Sequence, residues 1–198
     1  MPFNLIVIAT PPFKTFSFMH DKSNEYYKLD SNNKCNMKNK FSQIYKFADW
    51  PNAHIPNVAA GVYAIWNDGE LFYCGMSGRE IEKDANKKKK KYGLITRLQS
   101  HASGRLSGDQ FCVYVANRLV LPKLTPEDLI KFGTGEYKLD HMTKKYIHEH
   151  LTYQYIIVNS SAEAYNIEDQ ARKGYIFDSK PLLNPINEKI KNLTKGST

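Results

Sequence analysis

Five side chains in this sequence are of types that could together hydrolyse a phosphodiester bond. They are Tyr63, Tyr73, Arg97, His101 and Glu168. Hydrolysis concentrates negative charge on the phosphoryl oxygens, which an arginine guanidinium can bind with two hydrogen bonds. Histidine can accept a proton near neutral pH, and a carboxylate can bind a divalent cation. These side chains can act together only if the helices and strands of the fold bring them to one place.

Two strand-like runs carry the tyrosines. Gly61–Trp66 and Leu71–Gly75 are rich in β-branched and aromatic residues, and Asn67-Asp68-Gly69 separates them with a strong hairpin signal. A three-residue hairpin loop usually has glycine at its third position, as here. We therefore expect Trp66 to lie opposite Glu70 in the ladder.

This register places Tyr63 directly opposite Tyr73, with both side chains on one face and roughly 5 Å apart at Cβ. A two-residue turn at Asp68-Gly69 would shift the pairing by one residue and leave the tyrosines on opposite faces. Cross-strand tyrosine pairs are also common packing devices without any chemistry. The pair therefore indicates a site only in combination with the other residues.

A helix is predicted over Gly93–Ser103, with Leu94, Leu98 and Ala102 as its buried stripe. Arg97 and His101 are four residues apart, so they share one face, which we expect to point away from the core. Arg97 is the candidate for stabilising the phosphoryl oxygens, and His101 could orient the attacking water or accept its proton, alone or with a tyrosine. The alternative is an ordinary solvated face.

Glu168 lies on an apolar stripe. The predicted helix Ala162–Lys173 has Ala164, Ile167, Glu168 and Ala171 on the side that should face the protein. A carboxylate in that position is costly unless it is paired or binds a metal. The alternative to a metal site is a partly buried ion pair with Arg172 or a distant lysine.

The order of these features resembles the GIY-YIG nuclease family. Gly61-Val62-Tyr63 and Tyr73-Cys74-Gly75 are similar to the paired tripeptides that name it, with valine and cysteine in place of the two isoleucines. The family then has an arginine on a helix, with a histidine one turn later in its restriction-enzyme branch, an Ala-x-x-x-Glu helix and a proline-containing segment ending in asparagine. The matching residues here are Arg97, His101, Ala164 with Glu168, and Pro181 with Asn184.

The resemblance implies a metal-dependent DNA endonuclease that leaves 5′-phosphate and 3′-hydroxyl ends. It implies that Glu168 is the single protein ligand of Mg²⁺ or Mn²⁺, with Asn184 also in the site. A stand-alone restriction or defence enzyme fits the short chain best. Cutting both strands with one site per chain favours a homodimer, and a monomeric nickase is the alternative. A second hypothesis is a GIY-YIG-like nucleic-acid-binding protein that does not cut, or a partner in a repair complex.

The charge balance also favours DNA. The chain has 28 Lys and Arg against 20 Asp and Glu, a net charge of +8 and a pI near 9.2, as expected for a protein with a polyanionic partner. The run Lys87–Lys91 should be an exposed loop, which could contact phosphates or merely be solvated. The predicted phosphate contacts are Arg79, Lys88, Lys89, Lys90 and Arg105.

The expected fold is α+β, with a small, mostly antiparallel sheet flanked by helices. We expect an N-terminal accessory region at residues 1–60, the nuclease-like domain at 61–188 with a helical insertion at about 117–151, and a flexible tail at 189–198. The other predicted elements are strands at Leu5–Ala9, Phe111–Ala116 and Tyr153–Val158, and helices at Phe41–Ala48, Pro126–Lys131 and Asp140–His150.

Cysteine content and hydropathy bear on location. The cysteines Cys35, Cys74 and Cys112 are odd in number and widely spaced, without a CxxC pair, which favours a reducing, cytoplasmic setting. The apolar stretch Phe3–Thr10 is far shorter than the roughly 20 residues that span a bilayer. We therefore expect no association with a membrane.

Overall fold

The computed structural model describes residues 36–79, residue 81 and residues 91–184 of the 198-residue chain. The described part is an α+β fold, as predicted, with a small, mostly antiparallel sheet and helices on both of its faces. The strands are β1 (Tyr45–Lys46), β2 (Val58–Asn67), β3 (Glu70–Ser77), β4 (Tyr92–Gly93) and β5 (Leu151–Val158). The helices are α1 (Leu94–Ala102), α2 (Gln110–Val115), α3 (Pro126–Gly133), α4 (Leu139–His150) and α5 (Ser161–Arg172), with short helical segments at 36–39, Phe47–Asp49, Ala116–Val120 and Leu121–Lys123.

The sheet is ordered β1, β5, β2, β3, and all of these neighbours are antiparallel. β4 adds a short parallel pairing to β2. The central strand β2 is buried on both faces, which accounts for its continuous apolar run from Ala59 to Ile65. Helices α1, α2 and α4 cover one face of the sheet, and α5 covers the other.

β2 and β3 form the predicted hairpin, but the predicted register is wrong. Asn67 pairs with Glu70 across a two-residue turn, in which φ is 50° at Asp68 and 83° at Gly69. Positive φ at both positions defines a type I′ turn, whose twist matches the strands and for which Asp-Gly is a favoured sequence. The turn chemistry of Asp68-Gly69 therefore outweighs the three-residue loop that the sequence also allows.

A β-bulge in β3 places Tyr73 on the same face of the sheet as Tyr63. Trp66 pairs with Leu71, whereas Ile65 pairs with Tyr73, so Phe72 is an extra residue on β3. The ladder beyond the bulge is shifted by one position, and Tyr63 lies opposite Gly75. Because Tyr73 faces Ile65, it shares the face of Tyr63 despite the two-residue turn.

Two short elements differ from their predictions. Instead of a helix over Phe41–Ala48 the chain forms β1 and the turn Phe47–Asp49, and the strand predicted over Phe111–Ala116 is the helix α2. Short apolar runs of this kind fit helix and strand periodicity alike. In α2 an N-cap favours the helix over the strand, because the Asp109 side chain accepts a hydrogen bond from the backbone N–H of Phe111 at 3.0 Å.

The longer periodic elements agree with their predictions. Helices α3, α4 and α5 and strand β5 cover the predicted segments to within two residues at each end. The strand predicted at Leu5–Ala9 and the tail at 189–198 lie outside the described residues. Within residues 36–79, 81 and 91–184, no helix is both long enough and apolar enough to cross a membrane.

Candidate active site

The two tyrosines of the hairpin form one wall of the candidate site. Their ring centroids lie 6.2 Å apart, on the face of the sheet that α1 and α2 cover. Tyr63 is buried, with 2% of its surface exposed, whereas Tyr73 is partly open to solvent. The shared face is as predicted, although a diagonal contact across the bulge produces it instead of a directly opposed pair.

Gly75 makes room for Tyr63. A Cβ at Gly75 would overlap the Tyr63 hydroxyl and lie 2.6 Å from its Cζ. β3 continues through Gly75 to Ser77, so this glycine does not end the strand. Gly75, in the second tripeptide, therefore leaves the space that the Tyr63 hydroxyl of the first tripeptide occupies.

His101 is buried and bound on both of its ring nitrogens. Nε2 lies 2.8 Å from the Tyr63 hydroxyl, and Nδ1 lies 2.7 Å from Oδ2 of Asp109. The side chain is 2% exposed, so the prediction that it points away from the core with Arg97 is wrong. The reason is α2, whose Phe111 ring packs on the imidazole with centroids 4.6 Å apart.

Asp109 is a site residue that sequence reasoning missed. Its carboxylate joins two tasks, since Oδ1 caps α2 and Oδ2 contacts His101. An aspartate before an apolar run is a recognised N-cap signal, and that signal would have located the start of α2. Its contact with His101 joins the loop before α2 to α1, a tertiary contact that the sequence pattern does not contain.

The pKa values of this pair indicate a neutral histidine beside an ionised aspartate. Burial lowers the pKa of His101, and the nearby Arg97 charge adds to this, against the raising effect of Asp109. Burial acts to raise the pKa of Asp109, but its hydrogen bonds, led by that with His101, outweigh burial and lower it. With Asp109 accepting from Nδ1–H, the hydrogen-bond network assigns Nε2 as the acceptor of the Tyr63 O–H.

Both phenols keep their protons at neutral pH. Burial, followed by repulsion from Tyr73, raises the pKa of Tyr63 well above its usual value. Burial and the charge of Glu168 raise the pKa of Tyr73 to about 12. Each hydroxyl can therefore donate one hydrogen bond and accept others.

Arg97 is exposed at the mouth of a cleft beside these groups. The cleft measures about 360 Å³, and its lining residues are Met76, Ser77, Gly78, Arg79, Tyr92, Gly93, Thr96, Arg97 and Ser100. The charge of Arg97 lowers the pKa values of Tyr63, Tyr73 and His101, which places the guanidinium near all three. In the described part of the chain, Arg97 forms no ion pair or side-chain hydrogen bond. Its donors are available to an anion.

A second depression continues the cleft along α1. It measures about 420 Å³ and shares Thr96 and Ser100 with the first, and its other lining residues are Gln99, Ser103, Arg105 and Ser107. Arg79 and Arg105, two of the predicted phosphate contacts, thus line adjoining depressions, and Arg79 shares the first of them with Arg97. Lys88, Lys89 and Lys90 lie outside the described residues.

Glu168 approaches the same region from the other face of the sheet. It is half-buried on α5, and its charge raises the pKa of Tyr73, while its own pKa is raised by burial and lowered in part by Arg172 and Arg79. No hydrogen bond or ion pair to another described residue holds its carboxylate. The ion pair considered as an alternative is therefore absent from the described structure, although Arg172 is near.

Asn184 has a different task from the other predicted site residues. Its side chain is buried and bonds the backbone of Cys74 twice, accepting from N–H at 2.6 Å and donating to the carbonyl at 2.8 Å. Leu182 and Leu183 bond the carbonyls of Leu71 and Phe72 in the same way from their backbone. Asn184 therefore holds the segment after α5 against β3 and fixes the strand that carries Tyr73.

The donor set at Glu168 restricts which metal could bind. No group of three or more His, Cys, Asp or Glu side chains able to hold a metal occurs among the described residues. A lone carboxylate cannot make the tetrahedral nitrogen and sulfur site that zinc prefers. It does fit Mg²⁺, which is often bound by one or two carboxylates together with waters and substrate phosphates.

Comparison of the chain with protein-family models, with curated proteins and with solved structures found no match.

Proposed function

We propose that this protein is a metal-dependent DNA endonuclease of the GIY-YIG type, acting in restriction or defence. The observation that carries the proposal is the proximity of three groups, of which only Arg97 lines the polar cleft. Tyr63 is bound to the neutral His101, and the charges of Arg97 and Glu168, which form no ion pair with another described residue, both act on Tyr63 and Tyr73. These three functions are what hydrolysis of a phosphodiester needs: an anion-binding group, a proton acceptor and a cation ligand.

The arginines bind the phosphodiester. Arg97 has its donors free beside the tyrosines, so it contacts the phosphoryl oxygens on which charge develops. Arg79, whose carbonyl accepts a hydrogen bond from the Tyr92 hydroxyl at 2.7 Å, lies across the cleft and binds the same or an adjacent phosphate. Arg105 extends this contact to a further phosphate along the groove.

Tyr63 and His101 together accept the proton of the attacking water. The Tyr63 hydroxyl donates to Nε2 of His101, so its oxygen lone pairs can accept a hydrogen bond from water. As the water attacks, its proton passes to Tyr63 while the Tyr63 proton passes to His101. The raised pKa of Tyr63 keeps its hydroxyl protonated, and a neutral phenol is a poor base, so the histidine supplies the basicity that Tyr63 lacks.

Glu168 would hold the divalent cation, Mg²⁺ or Mn²⁺. Burial without an ion-pair partner is costly for a carboxylate, and a bound cation removes that cost. When bound, the cation supplies charge stabilisation for the leaving 3′ oxygen. Tyr73, whose pKa is affected by the charges of both Glu168 and Arg97, can donate a hydrogen bond to a phosphate oxygen.

DNA is the proposed substrate because Arg79 and Arg97 line the polar cleft, Arg105 lines the adjoining depression, and the chain has a net charge of +8. The described residues of a chain form one such centre, so we propose that a homodimer cuts both strands. A non-cutting nucleic-acid-binding protein is the second candidate. The deep burial of Tyr63 and His101 favours it, because burial restricts the access of water.

Incubation with supercoiled plasmid separates the two candidates. The proposal predicts relaxed and linear DNA with Mg²⁺ or Mn²⁺, ends carrying 5′-phosphate, and no cleavage in excess chelator. Plasmid binding without nicking, in either metal and across a range of plasmid sequences, would establish the non-cutting candidate instead.

A further inference from the structure

Asp109 forms a short, buried hydrogen bond with His101. Its Oδ2 lies 2.7 Å from Nδ1, and both side chains are 2% exposed. The carboxylate is itself fixed, because its Oδ1 accepts the Phe111 N–H at the start of α2. A buried carboxylate anchored by a helix cap thus meets the histidine on the nitrogen opposite Tyr63.

Aromatic rings hold the imidazole in this orientation. The Phe111, Tyr63 and Tyr73 rings surround it at centroid distances of 4.6, 5.3 and 6.0 Å. The packed rings and the two hydrogen bonds together hold the imidazole between Asp109 and Tyr63. With the ring held in this way, the Asp109 carboxylate can determine which ring nitrogen carries the proton.

We infer that Asp109 is a positioning residue of the proposed nuclease centre, which sets the His101 tautomer so that Nε2 accepts the Tyr63 proton. The inference rests on the proposed function. Asp109 is buried, with 3% of its surface exposed, and acts through His101. Its negative charge also stabilises the imidazolium that forms when His101 takes up a proton.

The proton and electron balance of the step is complete. The O–H bond of water breaks, and its electron pair forms the new bond to phosphorus. The water proton goes to Tyr63, and the Tyr63 proton goes to Nε2 of His101. The bond from phosphorus to the 3′ oxygen breaks with its electron pair on that oxygen, which takes up a proton from solvent to become the 3′ hydroxyl. The imidazolium later releases its proton to solvent.

The titratable and charged groups next to His101 come from β2, β3, α1, α2 and the loop before α2. They are Tyr63 from β2, Tyr73 from β3, Arg97 from α1, Asp109 from the loop before α2, and Cys112 from α2, whose Sγ contacts the His101 carbonyl. Within the described structure, Asp109 supplies the only carboxylate in contact with the ring. Removing its charge must therefore lower the pKa of His101 further.

The variant Asp109→Asn tests the inference, because asparagine caps helices as well as aspartate does and keeps the side chain volume. We expect the nicking rate to fall on the order of 10²- to 10⁴-fold, the usual contribution of proton transfer. We also expect the acid limb of the pH profile of kcat/KM to move to lower pH. Asp128→Asn, at the capping box of α3, is the matched control and should behave as wild type.

A second readout does not depend on cleavage. In ¹⁵N spectra of the imidazoles, with the His101 signal assigned from His101→Gln, wild type should show a protonated Nδ1 and a bare Nε2. Asp109→Asn should exchange the two. Asp109→Ser also keeps a capping oxygen, and it should abolish the preference for a protonated Nδ1. It should also lower the nicking rate and shift the acid limb of the pH profile as Asp109→Asn does. If Asp109→Asn does not fold, Asp109→Ser tests the inference in its place.

The outcomes separate the inference from the nuclease proposal. Wild-type cleavage by Asp109→Asn, a lower rate with an unmoved acid limb, or an unchanged tautomer would each overturn the role of Asp109. A wild-type protein that does not nick DNA would end the nuclease proposal, and the nitrogen signals would still decide whether Asp109 sets the tautomer.

Discussion

Gly75 lies directly opposite Tyr63 in the hairpin ladder, and its missing side chain is the space in which the Tyr63 hydroxyl sits. This pairing follows from the bulge at Phe72, since without it Tyr63 would face a different residue. The two tripeptides of the sequence are thus coupled across the strands. One supplies the phenol, and the other leaves room for it.

Gly75→Ala should therefore displace the Tyr63 ring from His101. Overpacking a buried site costs about 1–3 kcal/mol, so we expect urea denaturation to show a loss of that size together with loss of nicking. Gly133→Ala is the control, because nothing lies within 4 Å of a Cβ at that position at the end of α3. The control should be neutral or slightly stabilising. Wild-type stability and nicking in Gly75→Ala would show that the ring is not confined.

Tyr63→Phe should separate the chemical role of the hydroxyl from its structural role. Leaving His101 Nε2 without its donor costs about 1–3 kcal/mol. Tyr153→Phe makes a matched change, since the equally buried Tyr153 hydroxyl accepts a hydrogen bond from Asn52 at 3.1 Å. Both variants should lose similar stability, but only Tyr63→Phe should lose nicking. Equal nicking by the two variants would remove Tyr63 from the reaction.

Arg105→Ala should weaken DNA binding without abolishing cleavage. If Arg105 neutralises one phosphate, the slope of log K against log salt should become shallower by about 0.9. Fluorescence anisotropy on a short duplex at several salt concentrations measures this slope. Arg118→Ala, exposed outside both depressions, should keep the wild-type slope. A wild-type slope in Arg105→Ala would mean that DNA follows another path.

The buried His101 should make the fold sensitive to acid. The pKa of His101 is lowered from 6.5 in the folded protein. At pH values between the folded and the unfolded pKa, the unfolded chain therefore binds more protons than the folded protein. Stability is therefore complete above about pH 6.5 and is lost as pH falls through the folded pKa. Urea midpoints at about pH 7.5 and pH 5 should differ less in His101→Gln than in wild type. An equal difference in the two proteins would contradict a buried neutral histidine.

The sequence predicted the elements whose periodicity is long and unambiguous, including α1, α4, α5 and the hairpin. It also predicted that Tyr63 and Tyr73 share a face, but for the wrong reason. A bulge depends on how the sheet packs against its helices, and the alternation of apolar residues does not reveal it. The type I′ turn could have been predicted from Asp68-Gly69 alone.

The sequence does not predict the burial of His101, because the short element that covers it fits strand periodicity as well as helix periodicity. If Phe111–Ala116 is a strand, nothing covers the imidazole, and the helical spacing of Arg97 and His101 indicates a solvated face. The capped helix α2 brings both Phe111 and Asp109 against the ring. This one short element, which was predicted wrongly, thus accounts for two missed contacts of the site, those of Phe111 and Asp109 with His101.

The substitution Glu168→Gln tests the central claim most directly, with Glu163→Gln on the same helix as its control. Glu163 is exposed and caps α5 by accepting the Asn159 N–H at 3.1 Å, so its change should leave nicking at the wild-type rate. In Mg²⁺, Glu168→Gln should bind plasmid like wild type and fail to nick it. In chelator it should also be more stable, because burial raises the pKa of Glu168 and its charge destabilises the fold at neutral pH. Nicking by Glu168→Gln at the wild-type rate would contradict the account.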